Sequence, residues 1–194
     1  MIECARIEFV TSALKPEEFP LRKNDQGKVL PEVALIGRSN VGKSSLLNVL
    51  FRKKIAKASA TPGKTQRINF FVADKQVLFA DLPGYGYSKA PTKLVAEWSS
   101  AIDEYLNHRP TLKLLLVLVD VRRGLSSHET SMLDWAANKR IPVLVIFTKT
   151  DTVSPNQLKQ ALETVSTKAI GFSKNDLGAR KTLIRELNHA LAAG

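Results

Sequence analysis

Apolar residues along the chain fall into short continuous runs that alternate with stretches of helical spacing. Residues 30–36 are apolar-rich and end at Gly37, as a buried strand does. Residues 44–51 read as a helix, with Leu46, Leu47, Leu50 and Phe51 as its apolar positions. Residues 67–73 and 76–80 are extended runs separated by Asp74-Lys75, which predicts a hairpin. Residues 91–108 have helical spacing, with Leu94, Trp98, Ile102, Tyr105 and Leu106 on one side. Residues 112–120 are almost continuously apolar, the pattern of a strand covered on both faces of a parallel sheet. A helix over residues 127–139 follows, with Met132, Leu133 and Trp135 as core candidates, and then a buried strand over residues 143–148. Ser154-Pro155 is an N-cap and first-turn pair for a helix reaching about residue 167. A short strand over residues 169–172 and an amphipathic helix over residues 177–192 complete the chain.

Strands alternating with helices predict an α/β fold: a mostly parallel sheet with one antiparallel edge hairpin and helices on both faces. There is no internal repeat, low-complexity segment or composition break, so residues 1–194 read as one domain with an N-terminal strand or extension over residues 1–30. Ligands of such sheets bind at the carboxyl ends of the strands, and the chemistry-bearing motifs fall there.

Gly37-Arg38-Ser39-Asn40-Val41-Gly42-Lys43-Ser44, with Ser45 after it, matches the phosphate-loop pattern G-x-x-x-x-G-K-[ST] between a strand and a helix. Its backbone N–H groups and the helix N-terminus form an anion cradle. Lys43 is expected to reach the β- and γ-phosphate oxygens, and the Ser44 hydroxyl to ligate Mg²⁺. Asp81-Leu82-Pro83-Gly84 follows an apolar strand and reads as the second phosphate-side motif. Asp81 would hold Mg²⁺ through water, and the Gly84 N–H would meet the γ-phosphate. Thr148-Lys149-Thr150-Asp151 matches the guanine-selective pattern [NT]-K-x-D at the end of another strand. A carboxylate at Asp151 accepts from guanine N1–H and the 2-amino group, whereas adenine leaves it unpaired. Lys149 would lie along the base face. Phe172-Ser173-Lys174 would complete the base pocket through backbone contacts.

The sequence resembles the EngB family of bacterial ribosome-assembly GTPases, within the TrmE-Era-EngA-EngB-septin-like P-loop GTPases. The resemblance spans nearly the whole chain. It is carried by GRSNVGKSSLLN from Gly37, TPGKTQRINFF from Thr61, DLPGYGYSK from Asp81, VDVRRG from Val119 and TKTD from Thr148. Two departures are visible. The family commonly has Lys where this chain has Thr152, and Ser173-Lys174-Asn175 matches loosely. The resemblance implies a P-loop GTPase fold and slow, Mg²⁺-dependent GTP hydrolysis. It implies a role in assembling the large ribosomal subunit, with its rRNA and proteins as partners, and a need for the protein in growth and septation. It further implies that Thr65 is the switch threonine closing on Mg²⁺ and the γ-phosphate, and that Gly63, Lys64, Thr65, Gln66 and Arg67 contact nucleotide. Asn40 stands where related GTPases help bind K⁺; loop hydrogen bonding is the plainer reading. The catalytic set is thus Lys43, Thr65, Gly84 and Asn40. Tyr85 occupies the place where many GTPases have a water-orienting Gln, which implies slow intrinsic turnover. Together with Tyr87 it would pack against the helix that follows, or stack on RNA bases.

Charge sharpens the partner. The formal net charge is +11, and residues 33–73 contain no Asp or Glu against eight Lys and Arg. Lys43, Lys64 and Arg67 are accounted for by nucleotide. Arg52, Lys53, Lys54 and Lys57 are not, and they are expected to form an rRNA-facing patch rather than an ordinary solvated face. The 44% hydrophobic content argues against disorder. The single cysteine, Cys4, excludes an intrachain disulfide and points to a reducing, cytoplasmic setting, with the thiol acting as a small apolar residue. No apolar run approaches the roughly 20 residues a bilayer requires, no signal-peptide layout is present, and nothing requires more than a monomer. His108, His128 and His189 have no metal-site spacing; Trp98 and Trp135 read as core. Two other readings compete: a GTP-binding recruitment module with non-ribosomal protein partners and incidental hydrolysis, and a nucleoside or nucleotide kinase. The guanine motif and the lack of an Arg-rich lid weigh against the kinase.

Overall fold

The structure, a computed structural model, describes residues 1–55, 67–86 and 92–193. Its centre is the strand β5 (Leu112–Asp120). Successive side chains of a strand point to opposite faces. Leu114, Leu116 and Leu118 therefore enter one apolar cluster, and Leu115, Val117 and Val119 the other. That is why the run is continuous rather than alternating. Beside β5 lie β2 (Glu32–Gly37) and β6 (Val143–Thr148), both parallel to it. With β1 (Ile7–Ala13), β3 (Ile68–Ala73), β4 (Val77–Asp81) and β7 (Ala169–Phe172) they form one sheet of order β1-β3-β4-β2-β5-β6-β7.

Only β3 runs against the others. The β3–β4 hairpin is present, but it is not the outermost element, because β1 pairs with β3 and takes the edge. Asp74 and Lys75 turn the hairpin with φ of 51° and 54°. The Asp74 carboxylate also accepts the backbone N–H groups of Glu3, Cys4, Ala5 and Arg6 at 2.7–3.0 Å. The N-terminal segment is further held by Arg180, which donates to the Glu3, Cys4 and Leu50 carbonyls, and by Asn188 on Ile2. Cys4 is buried there, and burial pushes its thiol up to about 12.

One face is covered by α1 (Lys43–Phe51) and α5 (Ala179–Ala193), which bring Leu46, Leu47, Leu50, Phe51, Leu183 and Leu187 onto the sheet. The other carries α2 (Thr92–His108), α3 (Ser127–Asn138) and α4 (Pro155–Glu163). Tyr105 and Leu106 are buried, and Met132, Leu133 and Trp135 are partly buried against the same core. The side chains of Leu94 and Trp98 lie outside the described set.

Two helix boundaries differ from expectation. Helix α4 stops at Glu163, not near residue 167: the Thr164 N–H and hydroxyl both turn back onto the Ala161 carbonyl, and Thr167 bonds to Val143 to start β7. Helix α5 begins at Ala179, because Asp176 caps the Gly178 N–H and leaves Leu177 fully exposed in the preceding turn.

Candidate functional site

The chain leaves β2 for the hairpin on one side and returns to β5 on the other, so the carboxyl end of β2 lies at the switch point of the sheet, where open α/β folds bind ligands. Gly37, Asp81, Asp120, Thr148 and Phe172 close β2, β4, β5, β6 and β7. Register places them side by side: Leu35 opposite Asp81, Gly37 opposite Leu118, Asp120 opposite Thr148, and Thr148 opposite Phe172.

The loop from Gly37 into α1 passes through Asn40 at φ 61° and Gly42 at φ 119°, the latter a conformation other residues rarely adopt. A Cβ on Gly37 would stand 2.7 Å from the Leu118 carbonyl oxygen and 2.9 Å from Val41 Cγ1. Both glycines are thus required by packing and conformation. Asn40 is exposed, while Ser44 and Ser45 are half-buried at the start of α1. From the far side, the buried Thr148 hydroxyl reaches the Val41 carbonyl at 2.7 Å and so fastens the loop to β6. Sequence reading assigned Thr148 only to the base motif.

Gly84 presses against this loop. A Cβ there would lie 3.0 Å from Lys43 Nζ and 3.0 Å from Ser39 N and Cα. The Ser39 N–H donates to the Tyr85 carbonyl at 2.9 Å, and Leu82 N–H to Leu35. Leu82 and Pro83 are buried. Burial pushes the Lys43 ammonium down, and the Asp81 charge works in the opposite direction. Burial pushes the Asp81 carboxyl up, against Lys43 and the Asn69 amide. Among the described residues, Asp81 Oδ1 is the one buried side-chain polar atom without a hydrogen-bond partner. Leaving such an atom unpaired is costly. A hydrated divalent cation held beside Ser44 removes that cost, so the donor set fits Mg²⁺.

At the other end of the site, Lys149 has φ 60° and its ammonium lies 2.7 Å from Asp120 Oδ2. Residues Thr150 to Thr152 form a single 3₁₀ turn, and the Thr152 hydroxyl donates to the Lys149 carbonyl at 2.7 Å. The residue that departs from the family pattern therefore closes the turn carrying Asp151. Asp151 is exposed and accepts from Asn175 Nδ2 at 3.3 Å. Phe172 and Ser173 are buried, and Lys174 is exposed. The loop thus delivers Asn175, which the motifs do not include, to the Asp151 carboxylate.

The fold also gives partners and places to the other candidate residues. Tyr85 packs against α3. Its hydroxyl donates to Glu129 of α3, its ring lies 5.3 Å from His128, and burial and the Glu129 carboxylate raise its pKa. Burial opposes ionisation of Glu129, but hydrogen bonds from Ser126 and Tyr85 prevail and hold it below its ordinary value. Glu129 lies 44 residues from Tyr85, so only the fold brings them together. Arg67 faces the β1 side, where its guanidinium donates to the Ser12 carbonyl at 3.4 Å and lies 3.9 Å from Glu18. Arg38 lies against Gly86, with Nε 3.4 Å from the position of a Cβ there. Arg52, Lys53 and Lys54 are exposed, but they follow the far end of α1, roughly 13 Å along the helix from Lys43 at 1.5 Å per residue. Lys57, Gly63, Lys64, Thr65, Gln66 and Tyr87 lie outside the described residues. Among the described residues, no group of three or more His, Cys, Asp or Glu is placed to hold a metal, and no helix is long and apolar enough to cross a membrane.

Comparison with known proteins agrees with this geometry. The model of a family described as "50S ribosome-binding GTPase" matches residues 32–149, from the start of β2 into the base motif. The "Probable GTP-binding protein EngB" of Protochlamydia amoebophila is 43% identical over 160 residues, covering 82% of this chain and 78% of its own. Its counterpart in Geobacter sulfurreducens is 39% identical over 194 residues, covering 100% and 91%. A crystal structure of a "probable GTP-binding protein engB" superposes with a TM-score of 0.67 over 84% of this chain and all of its own; at 20% identity it speaks for the fold. With the family model spanning more than half of the chain and relatives of this identity matched over most of their length, the chain belongs to the EngB family of GTP-binding proteins.

Proposed function

We propose that this chain is a Mg²⁺-dependent, slow GTPase whose nucleotide state switches its part in assembling the large ribosomal subunit. The observation that carries the reading is the convergence on one end of the sheet. There a phosphate loop, a buried carboxylate oxygen without a partner and a base-side carboxylate follow one another along four adjacent strands. On this reading the loop N–H groups from Arg38 to Ser45 hold the α- and β-phosphates at the α1 N-terminus. Lys43 neutralises the β- and γ-phosphate oxygens. Ser44, with Asp81 through water and Thr65 by family resemblance, holds Mg²⁺, which supplies charge neutralisation for γ-phosphoryl transfer to water. The Gly84 N–H faces the γ-phosphate, and Gly63, Lys64, Gln66 and Arg67 contact the nucleotide when the switch closes. Lys149 and Asp151 select guanine, and Thr150, Phe172, Ser173 and Lys174 wall the base.

Slow turnover follows from Tyr85. Its hydroxyl is committed to Glu129, and a phenol has no amide with which to orient water. The missing group comes from K⁺ at Asn40, whose left-handed backbone leaves it exposed beside the loop, or from the ribosome. Faster turnover in K⁺ than in Na⁺ selects the first source; stimulation by ribosomal subunits selects the second. Arg52, Lys53, Lys54 and Lys57 are the proposed rRNA contacts, and residues 1–194 act as one GTPase domain. Ribosome assembly sets a cytoplasmic location and a link to growth and septation.

The direct test exchanges the base. Asp151→Asn should weaken GTP binding roughly 100-fold by removing a charged two-bond acceptor, and should favour xanthosine triphosphate instead. Unchanged GTP affinity would exclude this base pocket.

A further inference from the structure

We propose that Asp120 is a positioning residue of the guanine site: Arg122 holds its carboxylate fixed, and that carboxylate aims Lys149 along the base. The inference rests on the assignment of Lys149 and Asp151 to the base.

Asp120 ends β5 opposite Thr148, one residue before Lys149, and is 7% exposed. Three donors come from Arg122, two positions on: Nε to Oδ1 at 2.9 Å, the backbone N–H to Oδ1 at 3.2 Å, and Nη2 to Oδ2 at 2.6 Å. The turn they belong to is closed by Arg123 and Gly124 N–H groups on the Asp120 carbonyl, with Gly124 at φ 66°. Val121 N–H ties the turn to the Thr148 carbonyl at 3.2 Å. The carboxylate is thus satisfied and oriented by its own turn. Lys149 adds a fourth donor, at 2.7 Å on Oδ2, that the turn does not need.

What the fourth bond changes is Lys149. A lysine stem is long and loses much rotamer freedom when ordered. Held on Asp120, it is ordered before the base arrives, and preorganisation of this kind raises affinity without adding a contact. A fixed anion is a suitable anchor because charge-assisted hydrogen bonds are short and directional. Sequence spacing cannot supply this pairing, since 29 residues separate the partners and only the β5–β6 register joins them. The alternative is that Asp120 serves the turn alone, through Arg122.

A thermodynamic cycle separates the two. Fluorescent GDP is titrated into wild type, Asp120→Ala, Lys149→Ala and the double variant at fixed Mg²⁺ and salt, with melting curves to follow folding. Asp120→Ala should weaken binding about tenfold in the native background, as loss of a charge-assisted bond predicts. In the Lys149→Ala background the same change should cost under about twofold, because the stem to be aimed is gone. Asp120→Asn, which keeps the volume and one acceptor, should fall between wild type and alanine, and it replaces alanine in the cycle should that variant melt early. Binding within twofold of wild type for Asp120→Ala, or an equal loss in both backgrounds, overturns the proposal. Failure of Asp151→Asn to shift base preference, or an unchanged affinity in Lys149→Ala, overturns the base-pocket reading itself and this inference with it.

Discussion

Replacing Thr148 with valine removes one hydroxyl from the joint between the phosphate loop and β6, and nearly nothing else. Thr148 is 1% exposed. Its hydroxyl has two acceptors within reach, the Val41 carbonyl at 2.7 Å and the Val119 carbonyl at 3.2 Å, and a single proton, which belongs to the nearer. Valine substitutes a methyl group for that hydroxyl. The Val41 carbonyl then loses its donor in a buried place, at a cost of about 1–3 kcal/mol. A methyl also cannot sit 2.7 Å from a carbonyl oxygen: carbon–oxygen contacts settle at about 3.3–3.6 Å. The loop must therefore withdraw by several tenths of an ångström or the strand must twist. The sum is about 2 kcal/mol, which for a chain of this size lowers the melting temperature by about 4–8 °C. Urea unfolding should show a lower midpoint with an unchanged slope. Because the loop carries the proposed phosphate cradle, GDP affinity should fall in the same variant. Thr148→Ser is the control: it keeps the hydroxyl, loses one methyl and costs about 1 kcal/mol or less. Equal stability of the valine and serine variants would refute the claim that this hydrogen bond fixes the loop.

Two further outcomes follow from the same geometry. Gly37→Ala places a Cβ 2.7 Å from a backbone oxygen of β5, which cannot rotate away, so the variant should lose about 1–3 kcal/mol in chemical denaturation and bind GDP more weakly. For Asp74, burial disfavours the charge, but four backbone N–H donors prevail and hold the carboxyl below its ordinary value of 3.8. A depressed folded-state pKa stabilises fully above the unfolded value and is lost as pH falls through the folded one. Asp74→Asn keeps the left-handed turn but turns an amide toward two of those donors. It should cost about 1–2 kcal/mol at pH 7, discounted for exposure, with the gap to wild type closing below about pH 4. A gap that is flat with pH would mean that the charge does not hold the N-terminal segment.

Much of the fold could be read from local pattern. The apolar run from Leu114 to Val119 in β5 required a strand covered on both faces, and the structure divides its residues between two clusters as alternation demands. The phosphate and base motifs each sat at a strand end, which already grouped them at one edge of a parallel sheet. Helix ends were less legible. Periodicity carried α4 past Glu163 and began α5 at Leu177, because side-chain caps from Thr164 and Asp176, rather than hydrophobic spacing, set those boundaries.

Sequence by itself determined which residue types are proposed to meet phosphate and guanine, since G-x-x-x-x-G-K-S, D-x-x-G and T-K-T-D encode the backbone freedom, charge and acceptor geometry locally. It could not determine what positions them. Thr148 meets Val41 across 107 residues, Tyr85 meets Glu129 across 44 and Lys149 meets Asp120 across 29. Each of those pairings depends on strand order and register, which no local pattern specifies. Strand order alone also placed β1, rather than the hairpin, at the sheet edge, and turned Arg67 toward Glu18. The physical reason is common to all of them: a side chain's type sets what it can bond to, but only the packed sheet sets the distance at which a partner stands.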